Sequence, residues 1–162
     1  MSLLRKFNAA LLKIASWGVI LSMAAIAIVI PYEVFGRYVL GNMSTWTGEF
    51  SQYALVWASM MGGVVGLKRG YQVGITTLID RLPPRPARTL QCAGYLFMLF
   101  FFILMTYHGI GQMLMNANQT SSTMGIRMSI PYAALPSGFF VMLCVTLEQL
   151  LDFLNGAPMR GK

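Results

Sequence analysis

Long apolar runs alternate with short polar and basic segments along this chain. Crossing a bilayer as a helix takes about 20 predominantly apolar residues, and four runs meet that length: residues 14–39, 49–67, 90–110 and 130–151, as approximate bounds. The first run is longer than a perpendicular span needs and contains Pro31, so we expect it to tilt, to kink there or to project past the bilayer. The pattern predicts an all-α integral membrane protein with a single membrane domain over residues 1–162.

A further segment, residues 71–82, has an amphipathic pattern. In YQVGITTLIDRL the apolar residues other than Val73 recur at helical spacing, and polar residues such as Gln72 and Asp80 occupy the rest of the helix circumference. Such a helix lies at a membrane surface, and Pro83 with the prolines that follow ends it. We therefore expect an interfacial helix on the cytoplasmic side between the second and third spans.

Composition and charge give the orientation. The chain is 56% hydrophobic and 10% charged, whereas soluble domains carry about 25% charged residues. The net charge of +7 would suit a nucleic acid, but the basic residues flank the apolar runs, as cytoplasmic charges of membrane proteins do. One side of the membrane receives Arg5, Lys6, Lys13, Lys68, Arg69, Arg81, Arg85, Arg88, Arg160 and Lys162, and the other Arg37 and Arg127. We predict cytoplasmic N- and C-termini, membrane lipid as a partner and no nucleic acid, with interface anchors at Lys68, Arg69, Arg81, Arg85 and Arg88.

The second span carries small residues at every fourth position. This small-residue ridge consists of Ala54, Ala58, Gly62, Gly66 and Gly70. In lipid such a ridge lets helix backbones approach closely. Two interpretations are open: a docking face for another membrane protein, or packing within the four helices of this chain.

Acidic residues lie near the ends of the predicted spans. Glu33 precedes Arg37 by four residues, so the two share a helix face and are expected to pair. Glu49 stands in the first turn of the second span, where a carboxylate suits the helix dipole, and Trp46 suits the aromatic belt of the membrane interface. Glu148 and Asp152, one turn apart, would repel each other unless an Arg or Lys lies close, and we expect them to anchor the nearby basic loop.

The residues indicate no enzymatic site. His108 is the single histidine, whereas a membrane haem usually needs a second axial ligand, and common catalytic and phosphate-binding motifs are missing from the sequence. We expect no catalytic residue, metal or cofactor. Two alternatives stay open: a small multidrug or ion transporter acting as a homo-oligomer, and a haem or quinone membrane anchor of a redox complex.

The ordered features of residues 35–70, FGRYVLGNMSTWTGEFSQYALVWASMMGGVVGLKRG, resemble a known family. Arg37-Tyr38, Trp46, Glu49, Trp57, Gly62-Gly63 and Lys68-Arg69 follow in the order found in the small membrane subunit of tripartite ATP-independent periplasmic (TRAP) transporters, and SIPYAALPSGF at 129–139 is similar to its fourth-helix start. The resemblance covers roughly residues 30–150. Two departures are Gly48, where the family often has an acid, and Gln72, where it commonly has a histidine.

The resemblance implies a division of labour. A periplasmic receptor would capture an organic acid or related solute, and a large multi-span subunit would carry the substrate and sodium sites of this secondary active symport. The chain would scaffold that subunit in the bacterial inner membrane. Its subunit-interface candidates are then Arg37, Trp46, Glu49 and Trp57, together with the small-residue ridge.

Overall fold

The helices extend beyond the apolar runs that predict them. In the computed structural model the described residues are 2–41, 44–69 and 83–155, and they form α1 (Ser2–Tyr38), α2 (Thr47–Arg69), α3 (Pro84–Met115), α4 (Ser129–Tyr132) and α5 (Ala134–Leu154). Four helical stretches are long and apolar enough to cross a membrane, namely α1, α2, α3 and the stretch formed by α4 and α5, which confirms the predicted four spans. The expected interfacial helix at 71–82, with Arg81, lies outside the described residues, as do Gly70 and the side chain of Arg85.

The first helix is one continuous element of 37 residues that includes Pro31. At 1.5 Å per residue it is about 55 Å long, against a hydrocarbon thickness of about 30 Å. Its basic N-terminal turns therefore continue the helix beyond the length that a perpendicular span requires.

The last span is divided into α4 and α5 at Ala133, whose φ and ψ of −62° and −20° stay close to helical values. Pro136 has no amide hydrogen to donate to the carbonyl of Tyr132, four residues earlier, so the regular hydrogen-bond ladder is interrupted there. The apolar pattern of residues 130–151 gives no sign of this break, which lies at the start of the span.

The four long helices form a row in the order α1, α2, α5, α3. Neighbours in this row pack along their lengths, α1 also contacts α5 to a smaller extent, and among the described residues α3 contacts neither α1 nor α2. Among the most apolar 18 residues of each span, 39% are buried in the span formed by α4 and α5, against 6% in α1 and 6% in α3. The row therefore leaves broad apolar faces of α1 and α3 for lipid or a partner.

Small side chains bring the two central helices together. A Cβ atom added at Gly138 of α5 would lie 2.9 Å from the Cβ of Met60 on α2, closer than nonbonded carbon atoms approach. Both helices contribute buried aliphatic residues to the core: Val64 and Leu67 on α2, and Val141 and Val145 on α5. Glycine at 138 is thus a packing requirement of the α2–α5 contact.

The row has two distinct ends. The "basic end" is formed by the start of α1, the end of α2, the start of α3 and the end of α5, and it carries Arg5, Lys68, Arg69 and Arg88. The opposite "loop end" carries the connection between α1 and α2 and the loop at 116–128 that precedes α4. Neither name depends on the orientation of the chain in the membrane.

Candidate functional site

Glu49 holds the loop at 116–128 against the start of α2. Its Oε2 accepts hydrogen bonds from the backbone amides of Thr123, at 3.1 Å, and Met124, at 3.3 Å, and from the Thr123 hydroxyl. Its Oε1 accepts a hydrogen bond of 2.6 Å from the Tyr53 hydroxyl, one helical turn further along α2. The carboxylate thus does more than complement the helix dipole, because it ties two parts of the chain together.

The loop that Glu49 holds has a defined hairpin-like shape. The amide of Ser121 donates to the Ile126 carbonyl at 2.8 Å, and the amide of Met128 donates to the Gln119 carbonyl at 2.9 Å. Gly125 has a φ of +65°, a left-handed conformation that glycine adopts without the steric cost of a Cβ atom. This turn directs two consecutive amides, those of Thr123 and Met124, towards Glu49.

An aromatic contact joins the end of α1 to the residue that precedes α2, and an ion pair lies within the last turns of α1. The Trp46 ring lies 6.5 Å from that of Tyr32 and 6.2 Å from that of Phe50, between centroids. Arg37 Nη2 lies 2.7 Å from Glu33 Oε1, so the side chains expected to pair from their spacing do so on the exposed surface of α1. Arg37 and Trp46 therefore both lie at the loop end of the row.

An apolar groove opens beside Glu49 and is termed the loop-end groove. It has a volume of about 360 Å³ and lies between α1, α2, the hairpin and α4. Its lining is formed by Leu21, Ser22, Ala25, Phe50, Tyr53, Ala54, Trp57, Met124, Ile126, Ile130 and Pro131. Two of the predicted interface residues, Ala54 and Trp57, thus face a space that an apolar partner can enter.

The small-residue ridge of α2 divides between two environments. Ala58 is buried within the row, at 6% exposure, and a Cβ added at Gly62 would lie 4.0 Å from a methyl group of Val19 on α1. At Gly66 such an atom would meet nothing within 4 Å in the described structure. Part of the ridge therefore serves packing within the chain, and Gly66 leaves room at its basic end.

The basic end contains a buried polar cluster, formed by Asn8, Lys68 and Glu148. Glu148 Oε2 lies 2.7 Å from Lys68 Nζ and accepts a hydrogen bond of 2.7 Å from Asn8 Nδ2, which also donates to the Cys144 carbonyl at 3.0 Å. Asn8 is fully buried and Glu148 is 6% exposed. The cluster joins α1, α2 and α5 because each helix supplies one of its members.

Asp152 has a different partner from Glu148. Arg5 Nη2 lies 2.7 Å from its Oδ1 in an exposed ion pair, and Gln149 Nε2 donates to the Leu67 carbonyl at 3.0 Å. The two acids that would repel each other are therefore separately neutralised, one by α1 and one by α2. The sequence analysis did not single out Asn8. It is the one side-chain amide in residues 2–40. An isolated amide in an apolar segment is a signal for a buried hydrogen bond, because buried polar groups are paired.

The remaining predicted side chains have simpler surroundings. Lys68 is engaged with Glu148, Arg69 is exposed at the end of α2, and the Arg88 guanidinium lies over the Phe153 ring, 5.8 Å from its centroid. His108 is exposed near the loop end of α3 and contacts the Tyr107 ring. Among the residues that the structure describes, no three His, Cys, Asp or Glu side chains are grouped so as to hold a metal ion.

In comparison with known proteins, residues 26–156 match the family described as tripartite ATP-independent periplasmic transporters, DctQ component. The sialic acid TRAP transporter small permease protein SiaQ of Vibrio cholerae is 25% identical over 133 residues, which cover 82% of this chain and 77% of that relative. A putative TRAP transporter small permease protein of Haemophilus influenzae is 22% identical over 130 residues, or 80% of this chain and 81% of the relative.

A third relative is much longer than this chain. The isethionate TRAP transporter permease protein DctMQ of Oleidesulfovibrio alaskensis is 24% identical over 140 residues. The match covers 79% of this chain and only 21% of that protein.

Proposed function

The chain belongs to the DctQ component family of TRAP transporters, and we propose that it is an accessory small membrane subunit that scaffolds a large transport subunit. It is a multi-pass protein of the inner membrane. In this proposal the large subunit carries the substrate and sodium sites, and a periplasmic receptor delivers the solute and contacts the loop end transiently. The chain itself acts by assembly, without a catalytic step.

The observation that carries the scaffold proposal is the open row of helices with the loop-end groove on its side. Apolar faces of α1 remain exposed there: Leu21, which also lines the groove, is 63% exposed. A neighbouring helix seated against α1 and α2 would cover this surface, with Ala54 permitting close approach and Trp57 providing a large apolar contact. Trp46, Arg37 and Glu49 would then lie at the rim of the subunit interface.

Membership of a larger assembly is also supported by the isethionate relative, whose matching segment is about a fifth of one longer permease. Its name, DctMQ, joins two component letters in a single chain. We infer that the remainder of such a permease corresponds to the partner that this chain would bind as a separate protein.

The positions of the acids favour a scaffold over a self-contained transporter. Glu33, Glu49, Glu148 and Asp152 all lie near helix ends, and each is hydrogen bonded within the chain. Transporters usually place ionisable groups well inside a span, facing the transport path. Among the described residues no such acid is found, which supports assigning ion coupling to the large subunit.

The solute class is proposed from the names of the relatives. Sialic acid and isethionate, named for two of them, are both organic acids. We propose uptake of an organic acid or a related solute by sodium symport, with specificity residing in the receptor and the large subunit.

Affinity purification from native membranes tests the proposal. A tag on this chain, gentle solubilisation and mass spectrometry should recover a much larger polytopic protein in near-equal amount, and reconstituted uptake should require both chains, sodium and the receptor. Ala54→Leu, which fills the loop-end groove, should lower recovery of the large protein. Ala93→Leu, the same change at an exposed site on α3, is the matched control.

Other outcomes would overturn the scaffold assignment. Recovery of the chain alone as a homo-oligomer that transports solute would favour the small-transporter alternative. A visible absorption spectrum characteristic of haem in the purified chain would favour the redox anchor.

A further inference from the structure

A second cleft lies at the basic end, where the start of α3 meets the end of α5. It has a volume of about 470 Å³ and is lined by Arg88, Thr89, Cys92, Phe153 and Leu154. Arg88 contributes charge at its rim, and Phe153 and Leu154 contribute apolar surface. Since α3 is the outer helix of the row and contacts neither α1 nor α2 among the described residues, this cleft lies at the side of the row away from α1.

The Arg88 side chain is held in place by aromatic rings. Its guanidinium carbon lies 5.8 Å from the centroid of the Phe153 ring. The Phe153 ring also contacts the Tyr95 ring of α3, with 5.8 Å between the two centroids. A guanidinium stacked on a ring face keeps its N–H donors directed along its own plane. A contact of this kind involves the face of the guanidinium and not its N–H donors, and Arg88 also lines the cleft.

The charge of Arg88 is not neutralised by a carboxylate among the residues that the structure describes, where the ion pairs involve Arg5, Arg37 and Lys68. A guanidinium with free donors favours a phosphate group, which it binds in a bidentate geometry. The ligand best matched to the rim of the cleft is therefore an anion that contains phosphate.

The floor of the cleft is apolar, so it favours a ligand that also has a hydrocarbon part. Leu154 is 54% exposed there, and Cys92 on α3 and Phe153 on α5 add apolar surface beside it. A free phosphate would leave this surface uncovered, whereas an acyl chain would cover it. One molecule with a phosphate at one end and a hydrocarbon chain at the other satisfies both requirements.

We propose that this cleft binds an anionic phospholipid of the bilayer. The phosphate contacts the Arg88 guanidinium and an acyl chain lies over Cys92, Phe153 and Leu154. The position suits this ligand, because Arg88 stands near the end of an apolar span, at the level where headgroups meet hydrocarbon. The site lies on the opposite edge of the row from the loop-end groove, and it requires only this chain.

Lipid titration of the delipidated full-length chain in mild detergent, followed by native mass spectrometry, tests this site. Phosphatidylglycerol is compared with phosphatidylcholine of the same acyl chains, and inorganic phosphate is added alone as a third probe. Arg88→Gln should weaken phosphatidylglycerol binding by about fivefold, in keeping with the contribution of one basic residue to anionic lipid binding. Phe153→Leu should weaken it less, because the charge remains.

The control is Arg69→Gln, which removes the same charge from an exposed position at the same end of the row. It should leave phosphatidylglycerol binding close to that of the unmodified chain. Equal losses from the two substitutions, or equal binding of the two lipids, would show that the attraction is diffuse and would overturn the site. Retention of inorganic phosphate that depends on Arg88 in the absence of lipid would overturn the assignment of a lipid ligand.

Discussion

The carboxylate of Glu49 accepts a hydrogen bond from the backbone amide of Thr123 at 3.1 Å, across 74 positions of the sequence. With the Met124 amide and the Tyr53 hydroxyl on the same carboxylate, it makes the loop end one connected unit. The rim proposed for the subunit interface and the hairpin are consequently coupled through Glu49, with a further contact from the Tyr53 hydroxyl to Met128 Sδ at 3.2 Å.

Replacing Glu49 should loosen the hairpin without unfolding the helices. Glu49→Ala removes the acceptor of the Thr123 amide and one of two acceptors of the Met124 amide, which also donates to Ser121 Oγ at 3.1 Å. We therefore expect hydrogen exchange at Thr123 to accelerate by roughly tenfold, the effect of losing a charge-assisted hydrogen bond, and exchange at Met124 to accelerate less. Glu49→Gln, which retains one acceptor oxygen, should give a smaller increase. Hydrogen-exchange mass spectrometry of peptides spanning residues 116–128 measures both.

Gln52→Ala provides the control for this experiment, since Gln52 is exposed on the first turns of α2. Its exchange pattern should match that of the unmodified protein. If Glu49→Ala also leaves residues 116–128 unchanged, and assembly and uptake with them, Glu49 holds neither the loop nor the subunit interface.

The buried ion pair at the basic end should contribute more to stability than the exposed one. Glu148→Ala leaves Lys68 without its ion-pair partner and leaves Asn8 Nδ2 with the Cys144 carbonyl alone, and we expect a loss of about 2 kcal/mol in the free energy of unfolding. This lies below the 3–5 kcal/mol typical of a broken buried pair, because the Lys68 side chain is 25% exposed. Asp152→Ala breaks the exposed pair with Arg5 and should cost under about 1 kcal/mol.

Thermal or chemical unfolding of the purified chain in detergent distinguishes these two substitutions. A double-mutant cycle with Lys68→Met then isolates the pairwise coupling of Lys68 with Glu148. Equal costs for Glu148→Ala and Asp152→Ala, or a coupling near zero, would contradict a structural role for the buried pair.

Asn8 should matter for stability although its neighbours along α1 do not. Asn8→Ala removes hydrogen bonds to Glu148 and to the Cys144 carbonyl, for an expected loss of about 1–3 kcal/mol, the cost of leaving buried polar groups unpaired. Lys6→Ala, at an exposed position two residues earlier, should be nearly neutral. The same unfolding assay applies, and a neutral Asn8→Ala would mean that the polar cluster does not hold α1 to α5.

Alanine substitutions at Gly138, which faces α2, and at Gly66, which faces open space, should change the stability of the protein in opposite directions. Gly138→Ala places a Cβ atom 2.9 Å from Met60 Cβ, so α2 and α5 must separate, at an expected cost of about 1–3 kcal/mol. Gly66→Ala meets nothing within 4 Å and should be neutral or slightly stabilising, because alanine is favoured over glycine within a helix by about 1 kcal/mol. The free energies of unfolding of the two variants are measured in parallel. A Gly138→Ala variant more stable than Gly66→Ala would show that the α2–α5 packing is misassigned.

Much of this architecture follows from local sequence patterns. Apolar runs of spanning length predict helices because the backbone must satisfy its own hydrogen bonds in hydrocarbon, and all four predicted spans are present as helices. The pairing of Glu33 with Arg37 likewise depends only on a spacing of four residues in a helix. The orientation of the termini and the interfacial helix stay predictions, the first resting on charge asymmetry and the second on residues outside the described part of the chain.

The sequence by itself determined the class of protein, the number of its spans and the contacts between residues one helical turn apart, because these depend on composition and on helical periodicity. Only the tertiary structure decided the order of helices in the row, the hairpin amides that Glu49 binds, and the separate cations of Glu148 and Asp152. Each of these joins residues far apart in the chain. The physical reason is that many helix arrangements bury similar apolar areas, so the partner of a given polar side chain is set by which helices become neighbours.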